Sequence, residues 1–204
     1  MLEKIIELTN QYIDKMPKKE RKKYGQFFTS MATARFMAGL YNVSESMGKV
    51  KVLDAGAGSG ILACAFVERL ESLDFVKDIE LTCYENDSNV LPLLQSNLAF
   101  CKEHSSKNIT INILTDNYIL SQYLDFNYMI GGNLNPVKYD FVIGDPPYMK
   151  IPKNASEATA MPVVCYGAPN ILFNSLTRIM GQHMQRIAGR LSESRLYMDF
   201  VLQR

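Results

Sequence analysis

Four short stretches carry residue types that could do chemistry. The first is KVKVLDAGAGSGI, residues Lys49 to Ile61, in which an aliphatic run ends in a carboxylate, Asp54, and passes into Gly56, Gly58 and Gly60. Glycines at such a turn are needed where the backbone takes φ > 0 or approaches a ligand too closely for a Cβ. The other three are acids that close apolar runs: Glu85-Asn86, Asp116-Asn117, and Asp145-Pro146-Pro147-Tyr148.

The spacing narrows the ligand. A dinucleotide fingerprint needs G-x-G-x-x-G, and here the third glycine comes one position early, with Ile61 in its place. No Lys-Ser/Thr pair follows the glycines, so the phosphate loop of nucleotide triphosphatases is excluded too, and Asp54 would repel a pyrophosphate. An acidic strand end beside such a turn suits a ligand with a cationic, amino-acid-like end. Glu85 can take both hydroxyls of a ribose through its two oxygens, and Asp116 can meet a base edge.

The Pro-Pro corner implies a second partner. Prolines lock φ and remove two N–H donors, so the strand before them stops and its last carbonyls are left to accept. Asp145 and the Pro146 carbonyl could accept both hydrogens of an exocyclic amino group, drawing its lone pair out of conjugation and aiming it at an electrophile. Tyr148 offers a face on which the ring can stack.

Elements that could position these groups are legible in the apolar pattern. Leu2–Met16 reads as an amphipathic helix stopped by Pro17, and Thr29 or Ser30 can cap a helix running through Phe36, Met37, Leu40 and Tyr41. Between them Lys18, Lys19, Arg21, Lys22 and Lys23 form either a solvated face or a phosphate-contacting patch. A helix follows the glycine turn, then a strand over Ile79–Tyr84. From Asp54 to Glu85 is 85 − 54 = 31 positions, room for one strand-helix-strand crossover. Leu91–Phe100 reads as a helix, Ile109–Leu114 as a third strand, Gly131–Pro136 as a loop and Tyr139–Ile143 as a fourth strand. Residues Lys150–Ala168 read as a loop over the site, Ala168–Met180 as a helix, and Leu196–Leu202 as a possible fifth strand. The expected fold is α/β, a doubly wound and mostly parallel sheet with its acids and glycines on one rim.

Composition sets outer bounds. The chain has 204 residues, 47% hydrophobic and 21% charged, which fits one soluble domain. A net charge of +1 supplies no whole-protein attraction for nucleic acid, so any such contact must come from local patches. No apolar run reaches membrane-spanning length and the N-terminus lacks a signal-peptide pattern, so a cytoplasmic protein is expected. Cys64, Cys83, Cys101 and Cys165 show no C-x-x-C pairing and read as reduced core thiols. His104 and His183 read as surface residues, and no metal site or catalytic triad is expected.

With KKYGQFFTS, DAGAGSG and GDPPY in that order, the chain resembles the amino-methylating DNA methyltransferases of restriction–modification systems, over about Lys22 to Met180. The resemblance implies S-adenosylmethionine as donor, adenine flipped out of double-stranded DNA as acceptor, and a Rossmann-like methyltransferase fold. Carried over by position, Tyr24, Gly25, Gln26, Phe27, Phe28 and Thr29 would line the methionine end of the donor, above Asp54, Gly56, Gly58 and Gly60. Glu85 would hold the ribose, Asn86 would flank the adenine ring, Asp116 with Asn117 would meet its amino group, and Asp145–Tyr148 would hold the target base. The implied organisation is N-terminal helices with the aromatic motif over 1–48, a donor-binding core over 49–181 and a tail over 182–204. Two departures stand out. The family motif more often begins with Asn where this chain has Asp145. The Gly-Gly strand, closing hairpin and target-recognition domain usual after the core are not recognisable, so the chain reads as the N-terminal part of a longer or split enzyme. A specificity or C-terminal subunit, or a second copy pairing along the fourth strand, is the expected partner. The same D/N-P-P-Y chemistry would also serve a protein glutamine or an RNA base, and a non-catalytic donor-binding or interaction module is the remaining reading.

Overall fold

The computed structural model describes residues 1–15, 29–118, 120–121 and 139–144. Within them β1 (Lys49–Asp54), β2 (Asp78–Tyr84), β3 (Asn108–Leu114) and β4 (Phe141–Ile143) form one sheet in the order β3-β2-β1-β4, every pairing parallel. This is the expected α/β arrangement. β2 and β3 start one residue earlier than the apolar pattern indicates. β4 starts later, at Phe141, because Asp140 bends back on β1: its carboxylate accepts from Lys51 N at 2.8 Å, and its own N–H donates to the Lys51 carbonyl at 2.9 Å.

Parallel neighbours need long crossovers, and two helices supply them. α3 (Ile61–Glu71) links β1 to β2, and α4 (Leu91–Glu103) links β2 to β3. α3 is apolar nearly all round, with Ile61 to Val67 and Leu70 buried, because it lies between the sheet and the two N-terminal helices. Val50, Val52, Ile79 and Leu81 meet Phe66, Leu70, Leu94 and Leu98 in one core. Fully burying each such side chain is worth roughly 1.5–3 kcal/mol.

α1 (Leu2–Lys15) and α2 (Met31–Gly39) complete that layer. Ser30, one of the two residues that could cap α2, does so: its Oγ accepts from Thr33 N at 3.2 Å. The face turned inward differs from the apolar pattern. Ala34 and Ala38 are buried while Phe36 and Leu40 are 67% and 53% exposed, and the helix stops at Gly39 rather than running to Tyr41. Small residues let α2 lie close on α3, and Tyr41, released from the helix, turns into the core. Arg35 knots the three helices, donating to Glu68 at 2.8 Å and to Glu3 at 2.5 Å, while Leu2 N donates to Glu68 at 3.1 Å.

Cys64, Cys83 and Cys101 are free and buried, as expected, and His104 is exposed, stacked on Phe100. No described helix is long and apolar enough to cross a membrane. The basic run 18–23, the loops at 131–136 and 150–168, the helix at 168–180, the strand at 196–202, Cys165 and His183 lie outside the described residues.

Candidate functional site

The chain winds from β1 outward to β2 and β3, then returns to the other side of β1 for β4. Between β1 and β4 the winding reverses, and a crevice opens beyond the carboxyl ends of such strands. Asp54 pairs with Ile143 in register, and a Cβ on Gly144 would lie 3.9 Å from Ala55 N. The glycine turn and the segment leading to Asp145 therefore leave the sheet side by side.

The turn is shaped by backbone conformation. Gly58 and Gly60 take φ of 53° and 80°, in the left-handed region that glycine reaches without penalty. Gly60 also sits under α4: a Cβ there would meet Leu94 Cδ1 at 2.9 Å and Leu98 Cδ2 at 3.4 Å. Ala57 N donates to the Tyr84 carbonyl at 2.9 Å, tying the turn to the end of β2, and Gly60 N donates to the Ala57 carbonyl at 2.7 Å. Gly56 and Gly58 remain partly open at the mouth.

Glu85 closes the next strand end. Its Oε2 accepts from Gly58 N at 2.8 Å and its Oε1 from Asp87 N at 2.8 Å. One carboxylate thus pins the glycine turn and the turn after β2 together. Each oxygen keeps a second lone pair, and the side chain is half-buried.

Asp54 lies beneath rather than on the rim, with 0% exposure. Its effect on neighbours is visible. Burial and then the Asp54 carboxylate push the Tyr41 phenol above its ordinary range, and the same causes raise the Cys83 thiol. Tyr41 is therefore a neutral hydroxyl, and it donates to the Val142 carbonyl at 2.5 Å. Its ring packs edge-on against Phe66 and Phe141 at 5.1 and 5.7 Å.

The remaining rim residues divide. Asn86 and Asp116 are exposed on the same edge as Glu85. Asn117 has a local task, its Oδ1 accepting from Leu120 N at 3.2 Å and its carbonyl from Ser121 N at 2.9 Å, which starts a helical turn. Tyr118 in that turn packs on Tyr84 at 5.0 Å. Thr29 is half-buried beside the α2 cap. Tyr24, Gly25, Gln26, Phe27 and Phe28, and Asp145, Pro146, Pro147 and Tyr148, lie outside the described residues.

The family model for N-6 DNA methylases matches residues 6–162. The chain belongs to that family. It is 31% identical over 174 residues to the type II methyltransferase M.PstI of Providencia stuartii, covering 84% of this chain and 32% of that protein. It is 34% identical over 140 residues to M.BsuBI of Bacillus subtilis, covering 67% and 27%. The modification methylase CviBIII of Paramecium bursaria Chlorella virus NC1A is 21% identical over 184 residues, 90% and 41%. The chain thus spans about a third of the length of the curated relatives it matches. The N-6 DNA methylase match runs from within α1 past the Asp145-Pro146-Pro147-Tyr148 stretch, so it takes in the glycine turn and both motifs beyond the described residues.

Three residues packed around the candidate site do not stand out in the sequence pattern. Tyr41 reads as one more apolar position of the helix that Thr29 or Ser30 caps. Asn97 and Thr9 read as ordinary helix residues, yet each falls on a buried stripe: Asn97 between Leu94, Leu98 and Cys101, and Thr9 four positions after Ile5. A polar group on an apolar stripe must find a partner inside, and that spacing is the available signal.

Proposed function

We propose that the chain is the donor-binding and catalytic part of an adenine-specific DNA methyltransferase, which moves a methyl group from S-adenosylmethionine to the exocyclic amino group of adenine. The observation that carries this reading is the Glu85 carboxylate bonded to Gly58 N–H across the ends of β1 and β2, with the exit toward Asp145 on the other side of β1. The residues present fit such a donor. Gly56 and Gly58, partly open and without a Cβ, give its chain a close approach, and Glu85 has lone pairs for two ribose hydroxyls. Asn86 and Asp116 stand on the rim for an adenine ring. Asp54 supplies a buried carboxyl group beneath the amino-acid end.

When bound, the donor supplies a methyl already activated on a sulfonium. The protein's part is then positioning, with no covalent enzyme intermediate. Asp145 and the Pro146 carbonyl accept the hydrogens of the target amino group, freeing its lone pair, and Tyr148 stacks on the base. A duplex presents adenine that way only when the base is flipped out.

S-adenosylmethionine should raise the melting temperature of the chain. Asp145→Ala should keep that shift and abolish methyl transfer to adenine-containing duplex DNA, read with radiolabelled donor. An unchanged transition at millimolar donor would overturn the reading. Transfer to a protein glutamine but not to DNA would overturn the choice of acceptor.

A further inference from the structure

The glycine turn is braced from below by a polar chain inside the helical layer. Asn97, in the middle of α4, has no exposed surface, and its Nδ2 donates to the Ser59 carbonyl at 2.8 Å and to Thr9 Oγ1 of α1 at 3.4 Å. Thr9 is 1% exposed. Ser59 lies between the two glycines of positive φ, so a bond to its carbonyl holds the turn near its middle. Leu94 and Leu98 flank Asn97 and close on Gly60, which fixes the other side of the same turn.

Packing alone gives no reason for an amide here. A leucine at 97 would continue the stripe of Leu94, Leu98 and Cys101, whereas the amide leaves its own Oδ1 buried with no partner among the described residues. Burying an amide with one group unmet is costly, and such a residue persists where its bonds define a particular geometry. The amide orientation is also determined. Reversing it would set Oδ1 against the Ser59 carbonyl, oxygen to oxygen, and would leave the Thr9 hydroxyl to reorient.

We propose that Thr9 and Asn97 are positioning residues for donor binding: Asn97 holds the Gly58–Gly60 turn in its ligand-accepting shape, and Thr9 holds Asn97. This rests on the donor reading above. It makes α1, 88 residues away in sequence from Asn97, part of the support of that site.

The test uses the full chain and four variants. Thr9→Val keeps shape but removes the acceptor, and Thr9→Ser keeps it. Asn97→Asp places an acceptor against the Ser59 carbonyl, and Asn97→Leu restores the apolar stripe. Two readouts are taken: calorimetric affinity for S-adenosylmethionine, and amide exchange without ligand at Gly58 and Gly60, whose N–H groups donate to Glu85 and Ala57. Loss of one buried bond predicts about fivefold weaker donor binding and faster exchange at those amides in Thr9→Val, and about tenfold or more in Asn97→Asp. Thr9→Ser should stay within about twofold of the parent chain. Asn97→Leu should weaken donor binding while keeping or raising the melting temperature, an outcome a purely structural role would not give. Affinity and turn exchange within twofold of the parent in Thr9→Val and Asn97→Leu would overturn the proposal, as would exchange rising equally along all of α1 and α4. If the parent chain fails to bind the donor, the methyltransferase reading falls, while unchanged or faster exchange at Gly58 and Gly60 still decides the brace.

Discussion

Gly60→Ala tests the shape of the turn most directly. At φ +80° any L side chain pays a conformational penalty of about 1–2 kcal/mol. The new methyl would stand 2.9 Å from Leu94 Cδ1, too near for it to stay in place, and 3.4 Å from Leu98 Cδ2, at the edge of ordinary contact. Both leucines are essentially unexposed, at 0% and 1%, so they have little room to give, and overpacking of this kind costs roughly 1–3 kcal/mol. Together the loss should be about 2–5 kcal/mol, or a fall in melting temperature of about 5–15 °C for a chain of this size. Gly39→Ala is the control. It closes α2, has nothing within 4 Å of an added methyl and no positive φ, so alanine there should be neutral or stabilising by up to about 0.5–1 kcal/mol. Urea unfolding of both variants measures the difference. A Gly60→Ala loss below about 1 kcal/mol, or one equal to that of Gly39→Ala, would show that neither the conformation nor the contact with α4 is as described.

Three further variants probe the rest of the site. Glu85→Gln must turn an amide NH₂ toward either Gly58 N–H or Asp87 N–H, so stability should fall by about 1–3 kcal/mol and donor affinity with it, by urea unfolding and calorimetry; equal stability would refute the paired bonds. Tyr41→Phe should cost about 1–2 kcal/mol through the Val142 carbonyl it leaves without its phenol, with no pH dependence below 9 because the phenol is held above its ordinary range. The Arg35 knot should show in acid. Hydrogen bonding to Arg35 holds the Glu3 carboxyl down near 2; for Glu68, burial pushes the carboxyl up, but the bond from Arg35 and the Leu2 N–H outweigh it and leave it lowered. Groups with depressed values stabilise above the unfolded value of 4.5 and lose that contribution as pH falls toward 2. The melting temperature of Arg35→Met should therefore depend less on pH between 4.5 and 2 than that of the parent chain, an effect kept small by exposure and reduced further by salt.

How much of this is legible in the sequence depends on whether a residue acts through period or through partner. The four strands and two crossover helices are readable because alternation and apolar runs are imposed by the sheet itself, and Asp54, Glu85 and Asp116 mark strand ends by breaking those runs. Boundaries move where a side chain makes a distant bond, as Asp140 does on Lys51, since no local pattern encodes a partner 89 residues away. The inward face of α2 departs from the apolar pattern for a related reason. Phe36 and Leu40 outweigh Ala34 and Ala38 by size, yet close packing on α3 selects the small pair. Glu85 stands out in the sequence as a ligand residue, and the structure adds that its two oxygens also bind protein backbone, a role that depends on the two turns having met. Asn97 and Tyr41 acquire their tasks only once α4 packs against the glycine turn and the chain after α2 folds onto β4.

The two halves of the proposed reaction hang from adjacent strands, and this makes the β1–β4 register a determinant of their separation. Parallel neighbours lie about 4.8 Å apart, so the turn beginning after Asp54 and the segment beginning after Ile143 start from points a strand-width apart. A slip of one residue would exchange the faces of Phe141, Val142 and Ile143 and move the exit toward Asp145 by about 3.3 Å along the sheet. A three-residue strand has few ladder bonds to resist that. The register is instead pinned at both ends by side chains. Asp140 grips the Lys51 backbone where β4 begins, and Tyr41 holds the Val142 carbonyl near its end, its ring wedged between Phe66 and Phe141. Asp140→Asn with Tyr41→Phe should therefore weaken methyl transfer more than the product of the two single changes, while donor affinity, which the proposed function assigns to the β1–β2 side, stays near that of the parent chain.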